Sequence, residues 1–227
     1  MKKIIVFGAS GDTGTYFVKY FLDHYTENNF ELIAVGTRKT DKFEKMGVTY
    51  YEVDITKKEE FEKLPKDVYA VVNLAGAMPA RMEGYDPQKY IDVNITGNLN
   101  VLEYCRINGA DRILFAQSFG DIKDHGETDI VLKADMPRKF SFSTDHTIYV
   151  LTKNFMVDMM ENYHEMYGLK NFVFRLPTIY LWASEDQYFV DGIKRKIGYR
   201  ILIDRAISGE VLEVWGDPSR VKDMVYV

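Results

Sequence analysis

The stretch Gly8-Ala9-Ser10-Gly11-Asp12-Thr13-Gly14 decides the fold. It follows a short apolar run, residues 3–7, and opens a segment, 13–25, whose apolar residues Tyr16, Phe17, Tyr20 and Phe21 recur at helical spacing. Three glycines at i, i+3 and i+6 between a strand and a helix each have a physical task. One allows the tight turn, and the next lets the backbone approach a pyrophosphate. The third lets helix and strand pack closely. The free N–H groups and positive dipole end of the helix meet the ligand's charge. Glycine spacing alone is weak evidence for a ligand. The strand–glycine–helix context is what supports dinucleotide binding over a bare glycine-rich turn.

Strand and helix signals alternate outward from this turn. Residues 31–35, 48–53, 68–75, 112–117 and 171–176 read as strands, and 57–64, 87–108 and 149–167 as helices. Residues 68–75 are nearly all apolar, as suits a strand buried on both faces. Asp86 before Pro87 reads as an N-cap, with Gly109 at the far end of the same helix. The pattern implies βαβ units in a doubly wound parallel α/β sheet of Rossmann type. Residues 1–176 are expected to form a dinucleotide-binding domain, and 177–227 a smaller C-terminal lobe. The connection over residues 120–147 is long, and such loops are often functional.

Composition narrows the function. The chain has 227 residues, with 29 Lys+Arg against 34 Asp+Glu, a net charge of −5. An acidic balance offers phosphate no general attraction, which argues against nucleic-acid and membrane-surface partners. No apolar run approaches the length of a membrane span. The basic-then-apolar start, Met1-Lys-Lys-Ile-Ile-Val-Phe7, ends too soon at Gly8 for a signal peptide. One cysteine, Cys105, excludes a disulfide framework and a multi-cysteine metal site, and the four histidines show no metal spacing. The expected setting is the cytoplasm and the expected partner a small-molecule substrate.

The second strand runs into Val35-Gly36-Thr37-Arg38-Lys39, with no acid before Asp41. A carboxylate there would hold the ribose 2′-OH of NAD, whereas an arginine can hold the 2′-phosphate of NADP. NADP or NAD is therefore expected, with Arg38 favouring NADP unless it is a solvated loop charge. Asp54 could accept a hydrogen bond from the adenine amino group or cap the segment after it.

Tyr149-Val-Leu-Thr-Lys153 places a tyrosine and a lysine on one helix face. With 16 tyrosines, about one such spacing arises by chance, and Tyr85…Lys89 is a second. Position separates them: Tyr149 follows the strand ending in Ser118, whereas Tyr85 precedes it.

The ordered set Gly8/Gly11/Gly14, Asn73-Leu-Ala-Gly-Ala77, Val93-Asn-Ile-Thr-Gly97, Ser118, Tyr149/Lys153 and Arg175-Leu-Pro-Thr-Ile-Tyr180 resembles the extended short-chain dehydrogenases/reductases, within them the NAD-dependent epimerase/dehydratase group, over essentially residues 3–227. The resemblance implies an enzyme in which Tyr149 exchanges a proton with a substrate hydroxyl while hydride moves to or from the cofactor. Ser118 would hold the substrate oxygen, and Lys153 would lower the phenol's pKa and grip the nicotinamide ribose. Asn94 would support Lys153. The implied cofactor contacts are Gly8, Ser10, Gly11, Asp12, Thr13, Gly14, Arg38, Asp54, Ile55, Leu74, Ala75, Gly76, Lys153 and Pro177. It also implies a homodimer through the helices at 87–108 and 149–167, the latter carrying Met156, Met159, Met160 and Met166 on several sides.

The chain departs from the family pattern in places. Thr178 stands for the asparagine that commonly holds a sugar nucleotide's pyrophosphate, Leu181 for a glycine, and Asn73 for a histidine. The resemblance makes an NAD(P)-dependent epimerase or dehydratase acting on a nucleotide-sugar the expected function, while these departures, with Arg38, lean toward a reductase. The alternatives are an NADPH-dependent carbonyl reductase of a smaller substrate and a non-catalytic dinucleotide sensor. Residues 210–215 read as a last strand, and the segment 216–227 resembles one that leads, in the family, into more of the substrate lobe. The chain is accordingly expected to be a fragment, a natural truncation or a protein whose tail is missing from this sequence.

Overall fold

The computed structural model describes residues 1–25, 29–125, 130–144, 146–182, 185–213, 215–217 and 224–227. Six strands form one parallel sheet: β1 (Lys2–Phe7), β2 (Phe30–Gly36), β3 (Thr49–Glu52), β4 (Val68–Asn73), β5 (Arg112–Ser118) and β6 (Lys170–Leu176). Their order is β3-β2-β1-β4-β5-β6, so the chain reverses its direction of travel across the sheet between β1 and β4. A crevice at that switch point, outside the strands' C-terminal ends, is where open α/β sheets take their ligands.

Alternation along the strands builds two cores. Ile5, Phe7, Ile33, Val35, Val71, Ile113 and Phe115 face one layer, where they pack with Leu102, Cys105, Met156 and Met160. Val6, Leu32, Ala34 and Val72 face the other, with Val18 and Phe43. The helices that cover these faces are α1 (Asp12–Tyr25), the short α2 (Lys42–Lys45) and α3 (Pro87–Tyr90), and the longer α4 (Asn98–Ile107) and α5 (Thr147–Tyr167).

The helix expected over 87–108 is continuous in space but not uniform. A π-helical segment, Ile91–Gly97, joins α3 to α4. Asp86 caps its start, Oδ1 accepting from the Lys89 amide at 3.3 Å. The helix expected at 57–64 is a 3-10 turn, Lys58–Lys63.

Beyond β6 lie β7 (Thr178–Tyr180), the hairpin of β8 (Gln187–Val190) and β9 (Ile193–Lys196), α6 (Gly198–Ile207) and β10 (Met224–Tyr226), which pairs with β7. Asp191 and Gly192, both at positive φ, make the hairpin turn. A Cβ on Gly192 would lie 2.6 Å from the Gly84 Cα, so the hairpin docks backbone to backbone on the crossover after β4. The strand expected at 210–215 does not form among its described residues, 210–213 and 215; the Glu210 amide instead donates to the Arg205 carbonyl of α6 at 2.9 Å. Part of the segment expected to lead onward, residues 218–223, lies outside the described residues.

Candidate active site

Three loops at the C-terminal ends of β1, β4 and β5 converge with α5. At β1, Gly8 has φ +77°, and a Cβ there would lie 2.7 Å from the Ala75 amide nitrogen. A Cβ on Gly14 would lie 2.3 Å from the Gly8 carbonyl oxygen, so only glycine lets α1 approach the strand this closely. A Cβ on Gly11 would meet only the Gly8 oxygen, at 3.2 Å, which leaves its outer side open. The turn is thus a cradle that fits a diphosphate against the first amides of α1.

At the end of β2, Arg38 reaches back over this turn and donates to the Ser10 carbonyl at 3.3 Å. Tyr50 fixes the Arg38 backbone through a 2.6 Å hydrogen bond to its carbonyl. Asp12, at the first turn of α1, forms an ion pair with Arg81. Asp54 acts as a turn cap: its Oδ1 accepts from the Thr56 amide at 3.0 Å and the Thr56 hydroxyl at 2.8 Å. Ile55 is buried in the core, its carbonyl held by Asn100 at 2.8 Å. Leu74 and Ala75 press their backbone on Gly8. Thr13 and Pro177 are partly exposed.

Ser118 ends β5, and its Oγ accepts from the Gly120 amide at 3.1 Å. Its side chain also lies near enough to the Tyr149 phenol to lower that group's pKa. Tyr149 and Lys153 occupy the first turns of α5. The Lys153 ammonium is buried, donates to the Ala116 carbonyl at 2.9 Å and lies 4.5 Å from the centre of the Phe115 ring. Burial lowers its pKa to about 8. Burial also pushes the Tyr149 phenol above its ordinary value, and the neighbouring Ser118 hydroxyl pulls it partly back. The sequence reading expects the ammonium to lower the phenol. Desolvation is instead the largest influence on the phenol, and Lys153 is not among the groups that shift it. Gly76 completes the site: a Cβ there would lie 3.3 Å from Lys153 Nζ and 3.2 Å from Asn94 Oδ1.

A buried chain of amides supports these groups. Asn73 donates to Asn98 Oδ1 at 2.6 Å, and Asn98 donates to the Asn94 carbonyl at 2.9 Å. The Asn94 side chain closes two bonds with the Ala77 backbone, at 2.8 and 3.0 Å, and donates to Thr152 Oγ1 at 3.1 Å. Thr152 in turn donates to the Tyr149 carbonyl at 2.9 Å. Asn94 sits in the π-helical segment, a common device for re-aiming a side chain at a functional site. On the other side, Asn154 holds Gln117 at 2.9 Å, and Gln117 accepts from the Ser118 amide at 2.8 Å. Asn98, Thr152, Gln117 and Asn154 were not anticipated from sequence. Asn98 lies four residues after Asn94 on a helix, the one signal that could have pointed to it.

The profile of the NAD dependent epimerase/dehydratase family matches residues 4–227. A putative UDP-glucose 4-epimerase of Methanocaldococcus jannaschii is 26% identical over 232 residues, covering 99% of this chain and 69% of that protein. A UDP-N-acetylglucosamine 4,6-dehydratase (inverting) of Campylobacter jejuni is 27% identical over 119 residues, 50% of this chain and 35% of that one. Among solved structures, the Thermus thermophilus UDP-glucose 4-epimerase complex with NAD shares the fold at a TM-score of 0.75 and 23% identity, covering 99% of this chain and 70% of that one. The chain thus spans about two thirds of the length of the proteins it matches end to end. Among the described residues no helix is long and apolar enough to cross a membrane. With nearly its whole length matched, the chain belongs to the NAD dependent epimerase/dehydratase family, enzymes of the extended short-chain dehydrogenase/reductase class.

Proposed function

We propose that the chain carries the coenzyme-binding and proton-transfer parts of an epimerase or dehydratase that acts on a hydroxyl of a nucleotide-sugar. The observation that carries this reading is the convergence of Ser118, Tyr149 and Lys153 beside the open glycine cradle. The names of the relatives, UDP-sugar epimerases and a dehydratase, support the substrate class. When bound, the coenzyme takes up or returns a hydride and, oxidised, adds positive charge to the site. Ser118 holds the substrate oxygen. Tyr149 Oη accepts the hydroxyl proton, or donates one in the reverse direction. Lys153 stabilises the phenolate and is held ready by the Ala116 carbonyl. The remaining expected contacts, from Gly8, Ser10, Gly11, Asp12, Thr13 and Gly14 through Asp54, Ile55, Leu74, Ala75, Gly76 and Pro177, line the coenzyme's path in this reading. Residues 177–227 contribute part of the substrate lobe.

NADP is the preferred coenzyme in this reading, because Arg38 stands over the turn and no carboxylate lies between Gly36 and Asp41. A thermal-shift panel tests both points. The expected result is stabilisation by NADP over NAD and a further shift with one of the UDP-, GDP- or dTDP-sugars. Arg38→Ala should weaken NADP by about tenfold, the loss of one charge-assisted contact, and leave NAD unchanged. Stabilisation by NAD alone reverses the coenzyme choice. Stabilisation by no nucleotide-sugar favours the second reading, a carbonyl reductase, for which Thr178 in place of the diphosphate-holding asparagine is the supporting observation.

The chain is further proposed to act in the reducing cytoplasm, in keeping with one buried free cysteine, Cys105. A homodimer is proposed through α5 and the helical stretch from α3 to α4, where Ile91, Leu99, Leu151 and Phe155 are 38–46% exposed. Light scattering should give about twice 26.4 kDa, and a clean monomer rejects the dimer.

A further inference from the structure

The ion pair of Asp12 with Arg81 stands at an unusual place. Asp12 follows Gly11 at the N-terminus of α1, on the β1 side of the switch-point crevice. Arg81 belongs to a 3-10 turn, Pro79–Arg81, on the crossover after β4, the opposite wall. The pair therefore spans the crevice at the level of the glycine cradle. Both side chains are only about half buried, 43% and 38% exposed, and exposed pairs of this kind add little to stability. A carboxylate at the mouth of an anion site also works against binding. It repels a diphosphate held by the same helix amides.

Arg81 is well placed to resolve that conflict. Its backbone is fixed by the next residue, Met82, which is 4% exposed and packs with Ala77 and Tyr90. Gly84, three residues on, is held by the hairpin through its amide bond to the Gly192 carbonyl at 3.0 Å. The guanidinium is thus presented to the crevice from an anchored turn. Its planar fork suits phosphate oxygens as well as a carboxylate.

We propose that Arg81 is a coenzyme-binding residue that spans the crevice and passes its guanidinium from Asp12 to the diphosphate of a dinucleotide lying there. Asp12 serves as its resting partner and holds it over the cradle until the ligand arrives. This rests on the reading that a dinucleotide occupies the switch point, and the test separates the two.

Titration with NADP and NAD, followed by tryptophan fluorescence, compares wild type with Arg81→Met, Asp12→Asn and the double variant. Arg81→Met should weaken binding about ten- to thirty-fold, as expected for loss of a charge-assisted contact. Asp12→Asn should tighten it roughly two- to five-fold by removing a repulsive charge. The double variant should remain about tenfold weaker than Asp12→Asn alone, because the lost contact is to phosphate. Equal binding by Arg81→Met and wild type overturns the proposal. So does a double variant as tight as Asp12→Asn, which would reduce Arg81 to a neutraliser of Asp12. Failure of wild type to bind either dinucleotide overturns the underlying reading as well.

Discussion

Tyr149→Phe is expected to lower turnover by about 10²- to 10⁴-fold, the usual worth of a positioned acid–base group, while coenzyme binding stays within about twofold of wild type. The substitution removes one oxygen and keeps the ring. The ring contact with Tyr90, 6.0 Å between centres, survives, so the first turn of α5 stays packed. Ser118 loses a polar neighbour but retains the Gly120 amide at 3.1 Å. The cost to stability is then no more than about 1 kcal/mol, the worth of a single hydrogen bond. None of the glycine-cradle groups is touched. The measurements are kcat with the nucleotide-sugar selected by the thermal-shift panel, the coenzyme Kd and the melting temperature. A variant with full activity removes Tyr149 from the chemistry. One that loses coenzyme binding in proportion to activity assigns it a structural part only.

The pattern of support explains why some of this was readable in the sequence and some was not. The glycine turn announces itself because backbone geometry leaves few options at Gly8 and Gly14, where any Cβ would overlap the main chain. The strands are legible because burial on both faces demands unbroken apolar runs, as in Val68–Asn73. Ser118, Tyr149 and Lys153 are legible through their order along the chain. The amides that brace them are not. Asn73 and Asn98 are 25 residues apart, and Asn94 and Thr152 are 58 apart, so only the packed structure pairs them. The π-helical segment is equally silent. Within it a Cβ on Gly97 would lie 2.7 Å from Ile55, and Asn94 closes onto the Ala77 backbone, contacts between residues far apart in the chain. After β6 the elements are short, and the pattern carries little. The β8–β9 hairpin and α6 carry no separate signal, and the strand expected at 210–215 does not form among the described residues. Arg81 is a surface arginine by sequence, and its importance comes from which wall of the crevice the β4 crossover puts it on.

Lys153→Met is expected to abolish activity and raise stability together, a combination that ordinary core damage does not produce. Burial depresses the Lys153 pKa from its ordinary 10.5 to about 8. The folded state therefore disfavours the charged form by roughly 3 kcal/mol at neutral pH. Methionine fills similar volume without charge. It forgoes the bond to the Ala116 carbonyl and the contact with the Phe115 ring, together about 1–2 kcal/mol. The desolvation penalty is the larger quantity, so the variant should melt roughly 2–6 °C higher at pH 7. The sign of the pH dependence follows from the same shift. Below pH 8 both folded and unfolded wild-type chains carry the proton, and the full penalty applies. Between 8 and 10.5 the unfolded chain holds a proton that the folded one has released, so this residue makes wild-type stability rise with pH. Above 10.5 neither state is charged and the penalty is gone. Lys153→Met should lack that rise, which chemical denaturation at several pH values between 7 and 10.5 would reveal. A variant that melts lower at pH 7 and keeps the wild-type slope shows that the ammonium stabilises the fold, and the account of a charge held at a cost for catalysis fails.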